Sequence, residues 1–181
     1  MIIYLPKLES DRLILSQISE NDISNKYLSW LNDKDVNRFT GFNGDYTINM
    51  LEDYIENLII KKTHFWTIKI KDTNKHIGNI KIDPIDFYHG FAELGIIIGD
   101  KEEWGKGFAQ EAINLVIDYC FKSLKIRKIN LGVLSENFAA VKLYLKIGFK
   151  IEGTLKFQVK FNNKYIDTIK MAIFNPAYHE E

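Results

Sequence analysis

The chain has 181 residues and a formal net charge of zero, because 24 Lys and Arg residues balance 24 Asp and Glu residues. This length fits one domain with a single core, and we expect one domain over residues 1–181. The balanced charge argues against a nucleic-acid partner, since proteins that bind phosphate backbones usually carry a basic excess. A single cysteine, Cys120, excludes an internal disulfide and a CxxC metal cage.

Targeting and metal-binding patterns are also missing from the sequence. The N-terminal residues lack a basic segment followed by an apolar one, and the longest apolar runs fall far short of the roughly 20 residues that span a bilayer. His64, His76, His89 and His179 show no ligand spacing, so we expect no metal. These features predict a cytoplasmic protein without a membrane partner, and they predict nothing about its oligomeric state.

The predicted elements alternate in type along the chain. A strand over 11–18 precedes a helix opened by Ser19, a Gly- and Asn-bearing loop over 37–46 and a helix capped by Thr47. Strands 64–71, 76–86 and 91–98 follow, then helix 107–124, strand 128–133, helix 137–147 and a hairpin of strands 150–161 and 164–174. Because the helices are segregated from the antiparallel run, the order predicts an α+β fold with a mixed, mostly antiparallel sheet flanked by helices.

The segment Trp104-Gly105-Lys106-Gly107-Phe108-Ala109 lies between a predicted strand and a long helix. The first N–H groups of a helix have no intrahelical partner, and the helix dipole places partial positive charge there. Glycines at this point let backbone amides close around a pyrophosphate without a Cβ in the way. The segment therefore predicts a main-chain cradle for a phosphate group.

Other phosphate loops fit this segment less well. It contains no GxxxxGK[ST], and Gln110 stands where a G-x-G-x-x-G pattern requires its third glycine. It also follows an antiparallel run of strands, whereas a dinucleotide-binding unit needs βαβ order. A glycine-rich turn without a ligand is the remaining alternative.

A second motif begins 28 residues after Ala109, with Asn137, Ala140, Leu143, Tyr144, Gly148 and Phe149 at the spacing N-x-x-A-x-x-L-Y-x-x-x-G-F. Together the two motifs resemble the GNAT superfamily of Gcn5-related N-acetyltransferases, whose pyrophosphate loop Q/R-x-x-G-x-G/A is matched by Gly107 and Ala109. Trp104 departs from the Gln or Arg of the commonest form. The segments DRLILSQI and WGKGFAQEA and the closing hairpin look most like the branch of ribosomal-protein N-terminal acetyltransferases.

The resemblance implies an acetyl-CoA-dependent enzyme whose strands 91–98 and 128–133 splay apart to receive the pantetheine arm. Acetyl-CoA is then the cosubstrate, and no metal takes part. Backbone groups of Ile96, Ile97 and Ile98 would pair with the arm. The other cofactor-binding residues that it implies are Trp104, Gly105, Lys106, Gly107, Phe108, Ala109, Asn137 and Lys146.

Two residues are candidate catalysts. Tyr144 would protonate the departing thiolate, and its alternative role is core packing. Glu93 stands in an otherwise apolar strand where burial would favour its action as a base, and it precedes Trp104 by the offset at which Gcn5-type enzymes carry their glutamate. Its alternatives are a solvent-facing strand position or replacement by an ordered water. For Asn137, helix capping is an alternative to cofactor contact.

The sequence predicts an acetyl transfer by direct attack of a primary amine of a small polar molecule, with an amino sugar ahead of a protein N-terminus, and antibiotics or polyamines as further options. A non-catalytic acyl-CoA-binding module and a structural domain are the alternatives of another class. The resemblance implies an acceptor cleft between loop 39–46 and hairpin 157–164, where Asp45 is the sole carboxylate. The aromatic and amide side chains expected there are Phe39, Phe42, Tyr46, Phe157, Phe161, Tyr165, Asn43, Asn162 and Asn163.

Overall fold

The computed structural model describes residues 5–40, 45–161 and 163–178. Its strands are β1 Leu8–Glu9, β2 Leu13–Gln17, β3 His64–Ile70, β4 His76–Asp86, β5 Phe91–Ile98, β6 Lys128–Leu134, β7 Lys150–Phe161 and β8 Lys164–Phe174. Its helices are α1 Asn25–Asn32, α2 Lys34–Asn37, α3 Ile48–Ile60, α4 Phe108–Lys122 and α5 Phe138–Ile147. None of these helices combines the length and the apolar character that a membrane span requires.

The eight strands form one open mixed sheet in the order β1-β2-β3-β4-β5-β6-β8-β7. The ladders β1–β2, β2–β3, β3–β4, β6–β8 and β7–β8 are antiparallel. The parallel ladder joins Phe91–Glu93 of β5 to Lys128–Asn130 of β6. The predicted α+β class is therefore confirmed. The parallel ladder is short, in line with the splayed central strands that the resemblance implies.

The chain divides into two compact units. The first unit comprises the described residues of Met1–Asp83 and Gly95–Val116, and the second comprises those of Pro84–Leu94 and Ile117–Glu181. A single domain over residues 1–181 stays a prediction. In the first unit, Ile18 after β2 and buried side chains of α1, α2, α3 and β3 form an apolar cluster, whose members are Ile18, Tyr27, Trp30, Leu31, Val36, Leu51, Ile55, Leu58 and Phe65. In the second unit the fully buried side chains of β6 and β8 are Ile129, Leu131, Met171 and Ala172.

The predicted start of the first helix needs correction. Ser19 and Asp22 form a capping box on a single 3₁₀ turn, Glu20–Asp22. The α-helix begins later, at Asn25, where the Ser24 side chain accepts a hydrogen bond from the Tyr27 amide at 3.1 Å. Both serines satisfy the same rule for an N-cap, so the residue pattern alone does not separate them.

The helices that flank the two motifs follow the predicted boundaries closely. The predicted apolar stripe of α4 is buried at Ala112, Ile113, Val116 and Cys120. Helix α5 ends at Gly148, whose φ of 116° lies in the left-handed region that favours glycine at this position. The start of α4 at Phe108 and the end of α5 at Ile147 therefore locate the two motifs.

Candidate functional site

The glycine-rich segment connects the end of β5 to the first turn of α4 in the first unit. Gly105 and Gly107 have φ values of +74° and +85°, a conformation that side chains with a Cβ rarely adopt. Apart from Gly105 and its two chain neighbours, no described residue has a heavy atom within 4 Å of the place that a Cβ on Gly105 would take. The backbone at Gly105 is therefore open to a group that approaches from this side.

The amides at the start of α4 have no partner within the helix. The first hydrogen bond of the helix runs from the Glu111 amide to the Gly107 carbonyl oxygen at 3.1 Å. The N–H groups of Phe108, Ala109 and Gln110 precede that bond, and the helix dipole adds partial positive charge beside them. This end of a 15-residue helix has the chemistry that a pyrophosphate requires, so the residues present fit the phosphates of acetyl-CoA.

Arg12, which sequence analysis did not single out, braces this segment. Its Nη1 donates to the Lys106 carbonyl oxygen at 3.0 Å, and its Nε donates to Glu111 Oε2 at 2.8 Å. Its guanidinium lies over the Phe108 ring, 4.6 Å from the ring centroid. Because Arg12 precedes these residues by 94 to 99 positions, no local pattern could have revealed the contact.

Two buried carboxylates hold the turn that precedes the glycines. Glu103 Oε1 lies 2.8 Å from Lys75 Nζ, and Glu103 Oε2 lies 2.8 Å from Lys106 Nζ. Lys106 and Lys75 hold the pKa of Glu103 below its usual value. Burial alone would raise the pKa of Asp100, but Lys26 and Lys75, at 2.7 and 3.1 Å, outweigh burial and keep it low. The loop lysine Lys106 is thus already paired to an anion.

The carboxylates of Asp100, Glu102 and Glu103 lie within 4.8 Å of one another, a spacing that would suit a cation. Lys75 Nζ lies 3.1, 3.4 and 2.8 Å from these three carboxylates, so an ammonium group already supplies the positive charge. The expectation that no metal binds stays a prediction.

The end of β5 presents three half-buried isoleucines, Ile96, Ile97 and Ile98. The indole Nε1 of Trp104 donates to the Ile98 carbonyl oxygen at 2.7 Å. The side chain that departs from the commonest GNAT pattern therefore binds the strand end. It also occupies one of the backbone groups that were expected to pair with the pantetheine arm. Pairing of Ile96 and Ile97 with the arm stays a prediction.

The second motif lies on α5 in the second unit. Asn137 Oδ1 accepts a hydrogen bond from the Ala140 amide at 3.2 Å, which confirms its role as N-cap. Tyr144 is half-buried and packs edge-on against Phe149, with ring centroids 5.7 Å apart. Desolvation raises the pKa of Tyr144 to about 12, so the phenol is protonated at neutral pH. Lys146 is exposed on the same helix.

Glu93 does not lie in the apolar environment that the sequence predicts. Its side chain is 44% exposed, and its Oε1 lies 3.5 Å from Lys170 Nζ. Glu93 pairs with Asn130 across the β5–β6 ladder, and the Asn130 Oδ1 atom is buried without a hydrogen-bond partner among the described residues. The expectation that Glu93 is buried was wrong, because Asn130 lies across the ladder from it and Lys170 lies beside its carboxylate. Its catalytic role stays a prediction.

The closing hairpin of the second unit contains an irregular segment at Phe157. From Leu155 to Val159, β7 advances four residues while its partner β8 advances two, from Thr168 to Ile166. The two extra residues form a bulge in which Phe157 has a φ of +52° and its side chain is 70% exposed. Asp167 Oδ1 accepts a hydrogen bond from the Phe157 amide at 2.9 Å and so holds this conformation.

The other expected acceptor residues divide between the units. Phe39, Tyr46 and Asp45 belong to the first unit, and Tyr46 is held by two hydrogen bonds between its backbone and the Asn32 side chain, at 2.8 and 2.9 Å. The second unit contributes the 61% exposed Tyr165, together with Phe161 and Asn163. Three of the expected residues, Phe42, Asn43 and Asn162, lie outside the described residues.

Comparison with known proteins gives matches along most of the chain. A family model described as an acetyltransferase (GNAT) domain matches residues 12–150. The uncharacterized N-acetyltransferase YoaA of Bacillus subtilis is 34% identical over 175 residues, which cover 94% of this chain and 98% of YoaA.

Solved structures agree with that match. The crystal structure of spermidine N-acetyltransferase from Vibrio cholerae in complex with CoA and spermine has a TM-score of 0.84 at 29% identity, covering 92% of this chain and 97% of that one. The ribosomal-protein-S5-alanine acetyltransferase of Vibrio fischeri has a TM-score of 0.77 at 20% identity, covering 97% and 100%, which shows that the two share a fold.

The glycine segment predicts the outcome of one substitution. Gly107→Glu places a carboxylate beside the helix amides in a conformation with a φ of +85°, so we expect acetyl-CoA to bind at least about tenfold more weakly. Isothermal titration calorimetry on the folded variant measures the change. Gly153→Glu, at an open position of β7, is the matched control and should leave the affinity unchanged. Unchanged affinity in folded Gly107→Glu would exclude the cradle.

Proposed function

Because this chain belongs to the GNAT acetyltransferase family and is an N-acetyltransferase with acetyl-CoA as cosubstrate, we propose that its acceptor is a primary amine of a small polar molecule. An amino sugar, such as a nucleotide-linked one, is the acceptor class that we favour. The observation that carries this proposal is the hairpin of β7 and β8, which combines an exposed aromatic ring with an excess of positive charge.

The bulge supports a flat apolar binding partner. A bulky residue at positive φ is rare, and Asp167 retains Phe157 in that conformation with its ring turned largely to solvent. Bulges next to binding sites redirect side chains in this way. An exposed aromatic ring suits the C–H face of a sugar or the face of a nucleobase.

The charge of the hairpin argues against a polycation. Residues 150–174 contain five lysines and two carboxylates, Glu152 and Asp167, a formal excess of three positive charges. Both carboxylates are already paired, Glu152 with Lys128 at 2.6 Å and Asp167 with Lys156 at 2.8 Å. A polyamine would therefore meet repulsion here, whereas an acceptor with phosphates would be attracted.

We propose that the acceptor amine attacks the acetyl carbonyl carbon directly, so that the C–N bond forms as the C–S bond breaks. The ammonium form of the amine loses one proton before the attack, and its nitrogen loses a second as the amide forms. The first passes to a base, and the second balances the proton that the departing thiolate gains. Glu93 is the proposed acceptor of the first proton. Its 44% exposure gives it contact with water, to which it can pass the proton on.

Tyr144 is the proposed donor to the thiolate. A phenol with a pKa of about 12 stays protonated at working pH. Complete transfer of its proton to a thiolate whose acid has a pKa of about 8.5 would be uphill by about 5 kcal/mol. Tyr144 therefore acts first as a hydrogen-bond donor that stabilises the developing negative charge on sulfur.

Removal of this hydroxyl group tests the role of Tyr144. We expect Tyr144→Phe to lower kcat about 100-fold and to change the KM for acetyl-CoA less than about twofold, because the ring still packs on Phe149. Tyr178→Phe, which removes a hydroxyl that donates to the Lys125 carbonyl at 3.0 Å, is the control. A fully active Tyr144→Phe enzyme would remove the phenol from the mechanism.

The pH dependence of the rate tests Glu93. Glu93→Gln should lose the largest share of its rate at low pH, where the amine is protonated, and recover part of it as pH rises and the neutral amine becomes abundant. The measurement is kcat/KM between pH 6 and 10 beside the control Asp118→Asn, an exposed carboxylate paired with Lys122. A profile that matches the unsubstituted enzyme would assign the base role to water or another group.

Two other acceptors have specific support. A polyamine is favoured by the 29% identity with the spermidine N-acetyltransferase of Vibrio cholerae over nearly the whole chain. A protein N-terminus is favoured by the segments DRLILSQI and WGKGFAQEA, which resemble ribosomal-protein N-terminal acetyltransferases. Both act as competitors in the decisive experiment.

That experiment is turnover with competing acceptors at equal concentration: nucleotide-linked amino sugars, spermidine and short peptides with free N-termini. We expect the highest kcat/KM for an amino sugar. Phe157→Ala should lower that value about tenfold or more, in line with the roughly 1–3 kcal/mol of a base–aromatic stack. Phe87→Ala, another exposed phenylalanine of the second unit, is the control. A higher kcat/KM for spermidine or a peptide would overturn the proposed acceptor and leave acetyl transfer intact.

A further inference from the structure

Arg12 stands at the start of β2 and donates to two groups of the α4 start at once. Its Nε and Nη2 bind Glu111 Oε2, and its Nη1 binds the Lys106 carbonyl oxygen at 3.0 Å. Its backbone amide also donates to Glu111 Oε1 at 3.2 Å, and Ser10 Oγ donates to the same oxygen at 2.6 Å. Glu111 is therefore fixed by Ser10 and Arg12 together, and Arg12 is fixed by Glu111.

The positive charge of Arg12 is largely compensated. Burial alone would raise the pKa of Glu111, but the hydrogen bonds from Ser10 and Arg12 outweigh it and keep the pKa below its usual value. Glu111 is thus ionised at neutral pH, and the guanidinium and carboxylate form a pair with no net charge. A compensated guanidinium attracts a distant polyanion much less than a free one does.

Because a peptide unit is planar, the hydrogen bond from Arg12 to the Lys106 carbonyl oxygen also orients the amide of Gly107. The C=O of Lys106 and the N–H of Gly107 belong to one trans peptide unit, so they point in opposite directions. Since the carbonyl is turned toward Arg12, the Gly107 N–H is turned away from it. A Cβ on Gly107 would lie 3.5 Å from Arg12 Nη2, an ordinary contact, so the φ of +85° rather than a lack of space favours glycine at this position.

We propose that Arg12 is a positioning residue, which orients the Gly107 amide toward the pyrophosphate of acetyl-CoA through the Lys106 carbonyl rather than by its own charge. This inference rests on the binding of acetyl-CoA at the glycine segment. It does not depend on which amine is the acceptor.

The competing explanation is a direct ion pair between Arg12 and a phosphate, since the Arg12 side chain is 49% exposed. Arg12→Lys separates the two, because lysine retains the charge but cannot donate to the carboxylate and the carbonyl with the planar fork of arginine. Arg127→Lys, the same substitution in the second unit, is the matched control.

The first measurement is calorimetry, which gives the Kd of CoA and of dephospho-CoA. Dephospho-CoA lacks the 3′-phosphate but retains the pyrophosphate. We expect Arg12→Lys to weaken the binding of both ligands about tenfold, which corresponds to the loss of about one hydrogen bond to the pyrophosphate. An affinity for CoA within about twofold of the unsubstituted enzyme would show that charge suffices or that Arg12 has no role, and would overturn the proposal. A loss with CoA that disappears with dephospho-CoA would assign Arg12 to the 3′-phosphate and overturn it as well.

The second measurement separates positioning from general damage to the fold. S-acetylpantetheine carries the thioester and the arm but no pyrophosphate, so its kcat/KM should change less than about twofold in Arg12→Lys, while that of acetyl-CoA falls about tenfold. Equal losses with both donors would mean that Arg12 supports the fold alone. The calorimetric arm needs no acceptor, so failure of the proposed acceptor class leaves this test unchanged.

Discussion

The amides at the start of α4, which have no partner within the helix, are the constraint on which the arrangement of the glycine segment depends. A helix start can remain without a side-chain cap when an external anion satisfies it, and here glycines with positive φ keep that approach open. Such a turn has little stiffness of its own, because glycine restricts the backbone so weakly. Its shape must therefore be imposed by neighbours, and Arg12, Glu103 and Asp100 provide that restraint through charged hydrogen bonds.

This restraint would also allow a neutral protein to present the proposed phosphate site. The lysines and the arginine around the turn are compensated by buried or half-buried carboxylates, in keeping with a formal net charge of zero. Glu103 is shared between Lys106 and Lys75, so each of its carboxylate oxygens has an ammonium partner at 2.8 Å. The affinity of such a site depends on geometry more than on net charge, which suits discrimination among phosphorylated metabolites.

Much of the fold could be predicted from the sequence because the information is local. The boundaries of β4, β5, β7 and β8 follow from alternation and turn residues, and those of α5 follow from its cap and Gly148. The brace by Arg12 and the pairing of Glu93 with Lys170 join residues 77 or more positions apart, and no pattern along the chain encodes them. The 3₁₀ turn at Ser19 was missed for a different reason, because Ser19 and Ser24, five residues apart, carry the same local signal.

The bulge in β7 has a second consequence, which concerns solubility. β7 is the last strand of the sheet, it is exposed along most of its length, and it carries apolar side chains such as Ile151 and Leu155. A regular strand of this kind would offer a continuous row of free backbone groups to another chain and would promote aggregation. Two extra residues at Phe157 interrupt that row, and Lys156 and Lys160 place charge beside it. A deletion that straightened β7 would therefore be expected to lower the yield of soluble protein even if the fold survived.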